Sequence, residues 1–264
     1  ECSRGKSELI NAVFFSHYGR RIMPASPGRT TMCPTELSYD TGLQPCLRLL
    51  PIETRAQPYS LAEWRERPST WVQLPLDVDD ADQLAQTMAH VAQVRKVPVD
   101  EARQLGFWSD EDGVENPLVD AQGLVEIPKW RHALINMAHP LLRQGLVIVD
   151  TPGLNAVGTE PELTVNLIAQ AHAVVFVLAA DTGVTKSDLA IWKGLLQPCH
   201  REGDAHLVVL NKIDTLWGSL DSGTEVKELL NRQRRQSAQI LDIDPARIVP
   251  LSAQKGLVAK IESN

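Results

Sequence analysis

The sequence predicts an α/β fold, a mostly parallel sheet with helices on both faces, and three observations carry that prediction. From Leu146 onward, short unbroken runs of Val, Ile and Leu alternate with stretches long enough for a helix. Three of those runs stop abruptly in a polar turn: Asp150-Thr151-Pro152-Gly153, Asn211-Lys212-Ile213-Asp214 and Ser252-Ala253. A turn containing glycine and lysine, Cys2-Ser3-Arg4-Gly5-Lys6-Ser7, opens the chain and leads straight into helix-forming residues. Sheets of this kind bind ligands beyond the carboxyl ends of their strands, which is where these turns would lie.

Each element follows from local pattern. Ser7 to Phe15 has helical composition, and Arg20 to Pro34, rich in Gly, Pro, Ser and Thr, reads as a loop. Glu36 to Ile52 holds strand-like runs, notably Cys46 to Leu50. Residues 53–145 are the least regular and are expected to form an enlarged insertion within a single domain spanning 1–264. Inside that region Leu84, Met88 and Val91 have helical spacing across Asp80 to Lys96, with acidic residues at the start and Arg95 and Lys96 at the end. Leu124 to Ile127 looks like a strand, and Trp130 to Met137 is open between strand and helix.

The remainder alternates cleanly. Strands are expected at Leu146–Val149, Val174–Ala179, Leu207–Leu210 and Ile248–Leu251, with helices at Pro161–Ala171, Ser187–Leu196 and Thr224–Leu241. A phosphate-binding turn needs a strand before it, and its leading glycine would fall just before Glu1. The sequence is therefore expected to be an excerpt lacking its first core strand.

Bulk properties narrow the function. A chain of 264 residues, 43% hydrophobic, can bury a substantial core. Its net charge of −7 argues against a broad nucleic-acid footprint, so no nucleic-acid partner is expected. The four cysteines, Cys2, Cys33, Cys46 and Cys199, have neither zinc spacing nor a dense disulfide pattern and read as reduced thiols. The longest apolar stretch, Ala171 to Ala180, is far too short to span a bilayer.

The polar turns carry a specific chemistry. Backbone N–H groups of the Ser3-Arg4-Gly5 turn and the helix start that includes Glu8 form a cradle for phosphates. Lys6 reaches the terminal phosphates and the Ser7 hydroxyl coordinates Mg²⁺. Asp150 holds the same ion through water, and the Gly153 N–H senses the γ-phosphate. The Asp214 carboxylate can accept from N1 and N2 of guanine, a pair of donors adenine lacks. Asn211 bridges toward the phosphate turn, the Lys212 stem covers the base, and a backbone N–H of Ser252-Ala253 serves guanine O6. A threonine from the polar loop completes the Mg²⁺ shell and orients the attacking water. Thr31 is preferred for this, with Thr30 and Thr35 as competitors. In this order the turns describe a P-loop GTPase fold, binding GTP or GDP. Leu154 stands where small signalling GTPases place a water-orienting Gln, so water must be oriented by other groups.

Ser3-Arg4-Gly5-Lys6-Ser7, the loop Pro24 to Cys33, Asp150-Thr151-Pro152-Gly153 and Asn211-Lys212-Ile213-Asp214 together resemble the dynamin superfamily, above all the G domains of bacterial dynamin-like proteins. Gly28-Arg29-Thr30-Thr31-Met32-Cys33 is also similar to mitofusins. The resemblance implies that Ser3 helps hold a monovalent cation, K⁺ or Na⁺, and orients water, and that Thr31 is the switch threonine. It implies that Asp181 to Asp188 reaches across a homodimer of G domains whose formation stimulates GTP hydrolysis. It further implies membrane remodelling through regions outside this chain, in a cytoplasmic protein at the inner face of a membrane. Cys2 stands where many eukaryotic dynamins have Gln. Arg4 lies one place from the internal arginine finger of some large GTPases, and two roles stay open for it, direct catalysis or a solvated or dimer-contact cation.

Two other readings use the same motifs. One is a ribosome-associated GTPase of the Era type acting on RNA, opposed by the acidic balance and by the long separation between Thr31 and Asp150. The other is a scaffold that binds GTP without hydrolysing it.

Overall fold

A computed structural model describes residues 4–24, 33–111, 116–151, 168–197, 205–219 and 223–263. The chain divides into two compact units, one formed mainly by residues 20–159 and the other by residues 2–19 with 160–264. Helix α1 (Lys6–Ile10) belongs to the second unit and continues through a π-helical turn, Asn11–Phe15, into a 3-10 turn, Ser16–Tyr18.

The first unit contains β1 (Thr35–Ser38), β2 (Cys46–Pro51), helix α2 (Leu61–Arg65), β3 (Val72–Pro75), α3 (Ala81–Met88), β4 (Val94–Pro98), α4 (Val99–Gln104), β5 (Leu124–Pro128), β6 (Trp130–Asn136) and β7 (Ile148–Asp150). Five of its strands form a sheet in the order β3-β2-β6-β1-β7, and β4 pairs with β5 separately. Only β1 and β6 run parallel; β2–β3, β2–β6 and β1–β7 are antiparallel. The parallel pattern expected from sequence therefore applies to the other unit, and this sheet is mixed. Residues 53–145 supply the central strand, β6, whose Ala133 and Ile135 are fully buried.

One expected helix is shorter than its pattern. Asp80 caps α3 by accepting from the N–H of Asp82 (2.9 Å) and Gln83 (3.1 Å), and Leu84 and Met88 are buried. After a 3-10 turn at Ala89–Ala92 the chain becomes β4, so Arg95 and Lys96 are strand residues opposite Ile127 and Glu126. Their charges meet side chains rather than a helix end: Arg95 bonds Glu101 and Lys96 bonds Asp120, each at 2.7 Å.

Asn136 at the end of β6 fastens the loop after β1. Its Oδ1 accepts from the Asp40 N–H at 2.7 Å, while Nδ2 donates to the carbonyls of Asp40, Leu43 and Gln44. A buried amide satisfied on both sides holds such a turn without regular structure.

The second unit is built on three parallel strands in the order β10-β9-β8: β8 (Ala173–Ala179), β9 (Ala205–Asn211) and β10 (Ile248–Pro250). Its helices are α5 (Lys186–Ile191), continued by a π-helical turn at Trp192–Leu196, α6 (Gly223–Leu241) and α7 (Ala253–Glu262). Leu178, Val208, Leu210 and Ile248 share one face and pack with Trp192, Leu196, Ala238 and Leu241 in one buried cluster. Trp192 also donates its Nε1–H to the Leu241 carbonyl at 3.0 Å, which fixes the end of α6. Helix α7 packs against α1 and its continuation, and Lys260 Nζ donates to the Ala12 carbonyl at 2.8 Å. The helix expected at Pro161–Ala171 lies mostly outside the described residues. Among the described residues no helix is long and apolar enough to cross a membrane.

Candidate nucleotide-binding site

Gly5 is the residue before α1, with φ 83° and ψ 29°, a left-handed conformation that glycine adopts without penalty. The reason lies next to it: a Cβ at Gly5 would sit 2.4 Å from Asn211 Nδ2. Lys6 and Ser7 then form the first turn of α1, with Glu8 beside them, and the Leu9 N–H bonds back to the Gly5 carbonyl at 3.0 Å.

Asn211 ends β9 and is the knot of the site. Its Nδ2 donates to the Arg4 carbonyl at 2.9 Å and its Oδ1 accepts from the Ala253 N–H at 2.9 Å. Its own carbonyl accepts from the Ala180 N–H at 2.8 Å. One residue, 2% exposed, thus joins the phosphate turn, the end of β8 and the start of α7. The bridge toward the phosphate turn that the sequence suggested is present as a hydrogen bond.

Lys212 follows with φ 62°, an unusual conformation for a residue with a side chain. Such strain persists only where surroundings enforce it. Here the Ile213 N–H reaches the Leu251 carbonyl at 3.4 Å, and the Thr215 hydroxyl donates to the Lys212 carbonyl at 2.7 Å. Asp214, half-buried, is the second residue of the 3-10 turn Ile213–Ser219. Ser252 caps α7 by accepting from the Lys255 N–H at 3.1 Å. The sequence assigns an N–H of the Ser252-Ala253 pair to guanine O6; the Ala253 N–H is instead engaged with Asn211.

Asp150 belongs to the other unit, where it ends β7, is 3% exposed and lies opposite Thr35 in register. Thr35, one of the three candidate switch threonines, is also buried and donates its hydroxyl to the Cys33 carbonyl at 3.2 Å. Thr30 and Thr31 lie outside the described residues, as do Cys2, Ser3, Gly153 and Cys199. Cys33 and Cys46 are free thiols, and burial pushes the Cys33 thiol up to about 12, so it stays protonated and unreactive. Among the described residues no group of three or more His, Cys, Asp and Glu side chains could hold a metal.

Sequence reading missed three contacts. Arg4 pairs with Asp188 and with Thr182, and Lys260 supports the helix that follows the phosphate turn. The capping pattern Thr185-x-x-Asp188 was legible, but nothing local linked it to Arg4.

With this geometry in place, comparison with known proteins is decisive at the family level. The model of the Dynamin family matches residues 1–213. The chain belongs to the dynamin family. It is 32% identical over 133 residues to an uncharacterized protein from the xynA 3' region of Caldicellulosiruptor sp. (strain Rt8B.4), covering 49% of this chain and 31% of that protein. Another relative is a probable transmembrane GTPase, FZO-like and chloroplastic, of Arabidopsis thaliana, 28% identical over 125 residues, covering 47% of this dynamin-family chain and 13% of the relative. Among solved structures, a chain of an oligomerised bacterial dynamin pair matches 97% of this chain and 33% of its own length, with a TM-score of 0.50 and 15% identity. The chain thus spans a third or less of the length of these proteins, and it is a dynamin-family G domain.

Proposed function

We propose that this G domain binds guanine nucleotides with Mg²⁺ and hydrolyses GTP to GDP and phosphate. The observation that supports the reading is the Asn211 clamp, which ties the Arg4 carbonyl, just ahead of Gly5 and Lys6, to the Ala253 N–H at the end of the strand that leads into Asp214. In this reading the α1 amides and Lys6 hold the phosphates, and Asp214 selects guanine. Ser7, Thr31 and Asp150 would hold Mg²⁺, which would supply charge neutralisation at the phosphate oxygens. Ser3, Thr31 and the Gly153 N–H place the attacking water, since the Leu154 side chain has no polar atom for that task. A monovalent cation, K⁺ or Na⁺, assists at Ser3. Hydrolysis is stimulated when two G domains pair, and in the whole protein it drives self-assembly and membrane remodelling from the cytoplasm. The dynamin-family match over 1–213 favours this over an RNA-directed GTPase.

The test is GTP turnover per subunit in the full-length protein, measured against protein concentration with K⁺ or Na⁺ present. A rate per subunit that rises with concentration is expected, and a flat rate removes dimer stimulation. Lys6→Ala should reduce nucleotide affinity at least about a hundredfold; equal GTP affinity in the variant would overturn the site.

A further inference from the structure

Arg4 sits in the phosphate turn, but its guanidinium is committed elsewhere. Nη2 donates to Asp188 Oδ2 and Nη1 to Thr182 Oγ1, both at 2.7 Å, and the side chains of Arg4 and Asp188 are only 12% and 11% exposed. The same Asp188 oxygen accepts from the Thr185 N–H at 2.9 Å and from the Thr185 hydroxyl at 2.8 Å. Thr185 Oγ1 in turn accepts from the Asp188 N–H at 3.2 Å, closing a capping box at the start of α5. A carboxylate held by three donors has little freedom, so the cation bound to it is also fixed. Meanwhile the Arg4 carbonyl accepts from Asn211. The residue immediately before Gly5 is thus held at both backbone and side chain.

We propose that Arg4 is a positioning residue that fastens the phosphate turn to the loop of residues 180–185 through Asp188, so that the placement of that loop sets how long the product nucleotide stays bound. The proposal rests on the nucleotide reading above and adds to it the element that controls release. An arginine that moved onto the transferring phosphate would have to abandon a largely buried carboxylate, and leaving one partner of such a pair alone is costly. The loop it grips exposes Asp181 and Thr182, so whatever presses on those residues acts on the phosphate turn through one rigid link. The chemical partner best suited to do so is a second copy of this domain.

In the full-length protein, Arg4→Ala and Asp188→Asn should each speed GDP dissociation about tenfold, the size of a charge-assisted hydrogen bond. The double variant should be no faster than the quicker single one, and Arg4→Lys should recover part of the loss. Additive effects would overturn the strut, as would an Arg4→Ala variant with a reduced kcat but unchanged GDP release, the signature of a transition-state contact. Thr182→Val leaves the α5 cap intact and should speed release by a smaller factor; no change there would also count against the proposal. Amide exchange of residues 5–10, measured without nucleotide, should quicken in Asp188→Asn. If wild-type protein failed to bind GDP yet this exchange still responded, the nucleotide reading would fall while the link itself stood; unchanged exchange would remove the link.

Discussion

In the unit that carries Lys6 and Asn211, all three strands run the same way, and their carboxyl ends share one edge. In the unit that carries Asp150, neighbouring strands mostly run in opposite directions, and turns fall on both edges. The first arrangement collects polar turns at one place, where Asn211 ties them together. The second disperses them, and its buried polar groups serve fastening instead, as Asn136 does for the loop after β1. Strand direction therefore decides whether a polar residue near a strand end becomes part of a common site or a local clasp.

The comparison is broken most forcefully by removing the aromatic hub of the parallel unit. Trp192 is 3% exposed, stacks within 5.4 Å of Phe176 and hydrogen-bonds Leu241. Trp192→Ala should cost about 3–5 kcal/mol in urea unfolding. If amide protection in β2 and β6 stays as in wild type while β8 and β9 lose theirs, the two units are separate stability elements; equal loss in both would merge them.

A smaller effect is expected from Gly5→Ala. The new Cβ meets Asn211 Nδ2, which cannot swing aside without losing the Arg4 carbonyl, and the left-handed backbone is strained for alanine. A loss of about 1–3 kcal/mol is expected, shared between stability and GDP affinity. A variant with wild-type Tm and wild-type GDP affinity would show that the close approach is relieved elsewhere.

The mildest test addresses the mixed sheet. His132 in β6 is fully buried, its ring nitrogens have no partner among the described residues, and Trp71 meets it edge-on at 6.4 Å. Burial, helped by the charges of Arg65 and Arg131, lowers its pKa to about 3. The folded state thus keeps the ring neutral while the unfolded chain takes up a proton near its ordinary value. Between about pH 6.5 and 3 the unfolded state binds more protons, so stability falls on acidification by up to about 1.4 kcal/mol per pH unit from this group. His132→Phe should flatten that slope below pH 6.5. An identical pH profile of Tm in the variant would assign the acid sensitivity to other groups.

What could be read beforehand follows the same division. Strands β8, β9 and β10 were legible because each is a continuous apolar run with a helix between it and the next. Asn211 was legible as a bridge because its position directly after such a run fixes where it must lie. The mixed sheet was harder. Trp130–Asn136 is buried on both faces and carries His132 and Asn136, so neither alternation nor polarity marked it as a central strand. Arg95 and Lys96 looked like a helix end because local charge order says so, whereas pairing with β5 is a non-local fact. The link from Arg4 to Asp188 joins residues 184 positions apart, beyond any spacing rule.

The reach of Asn211 also sets an order of events in time. Its amide closes on a carbonyl made 207 residues earlier. At translation speeds of roughly 5–20 residues per second, the turn around Gly5 waits roughly ten to forty seconds before the group that secures it exists. Throughout that interval the growing polypeptide carries a lysine-bearing turn without its fastener, and the turn becomes secured only once Asn211 has been made.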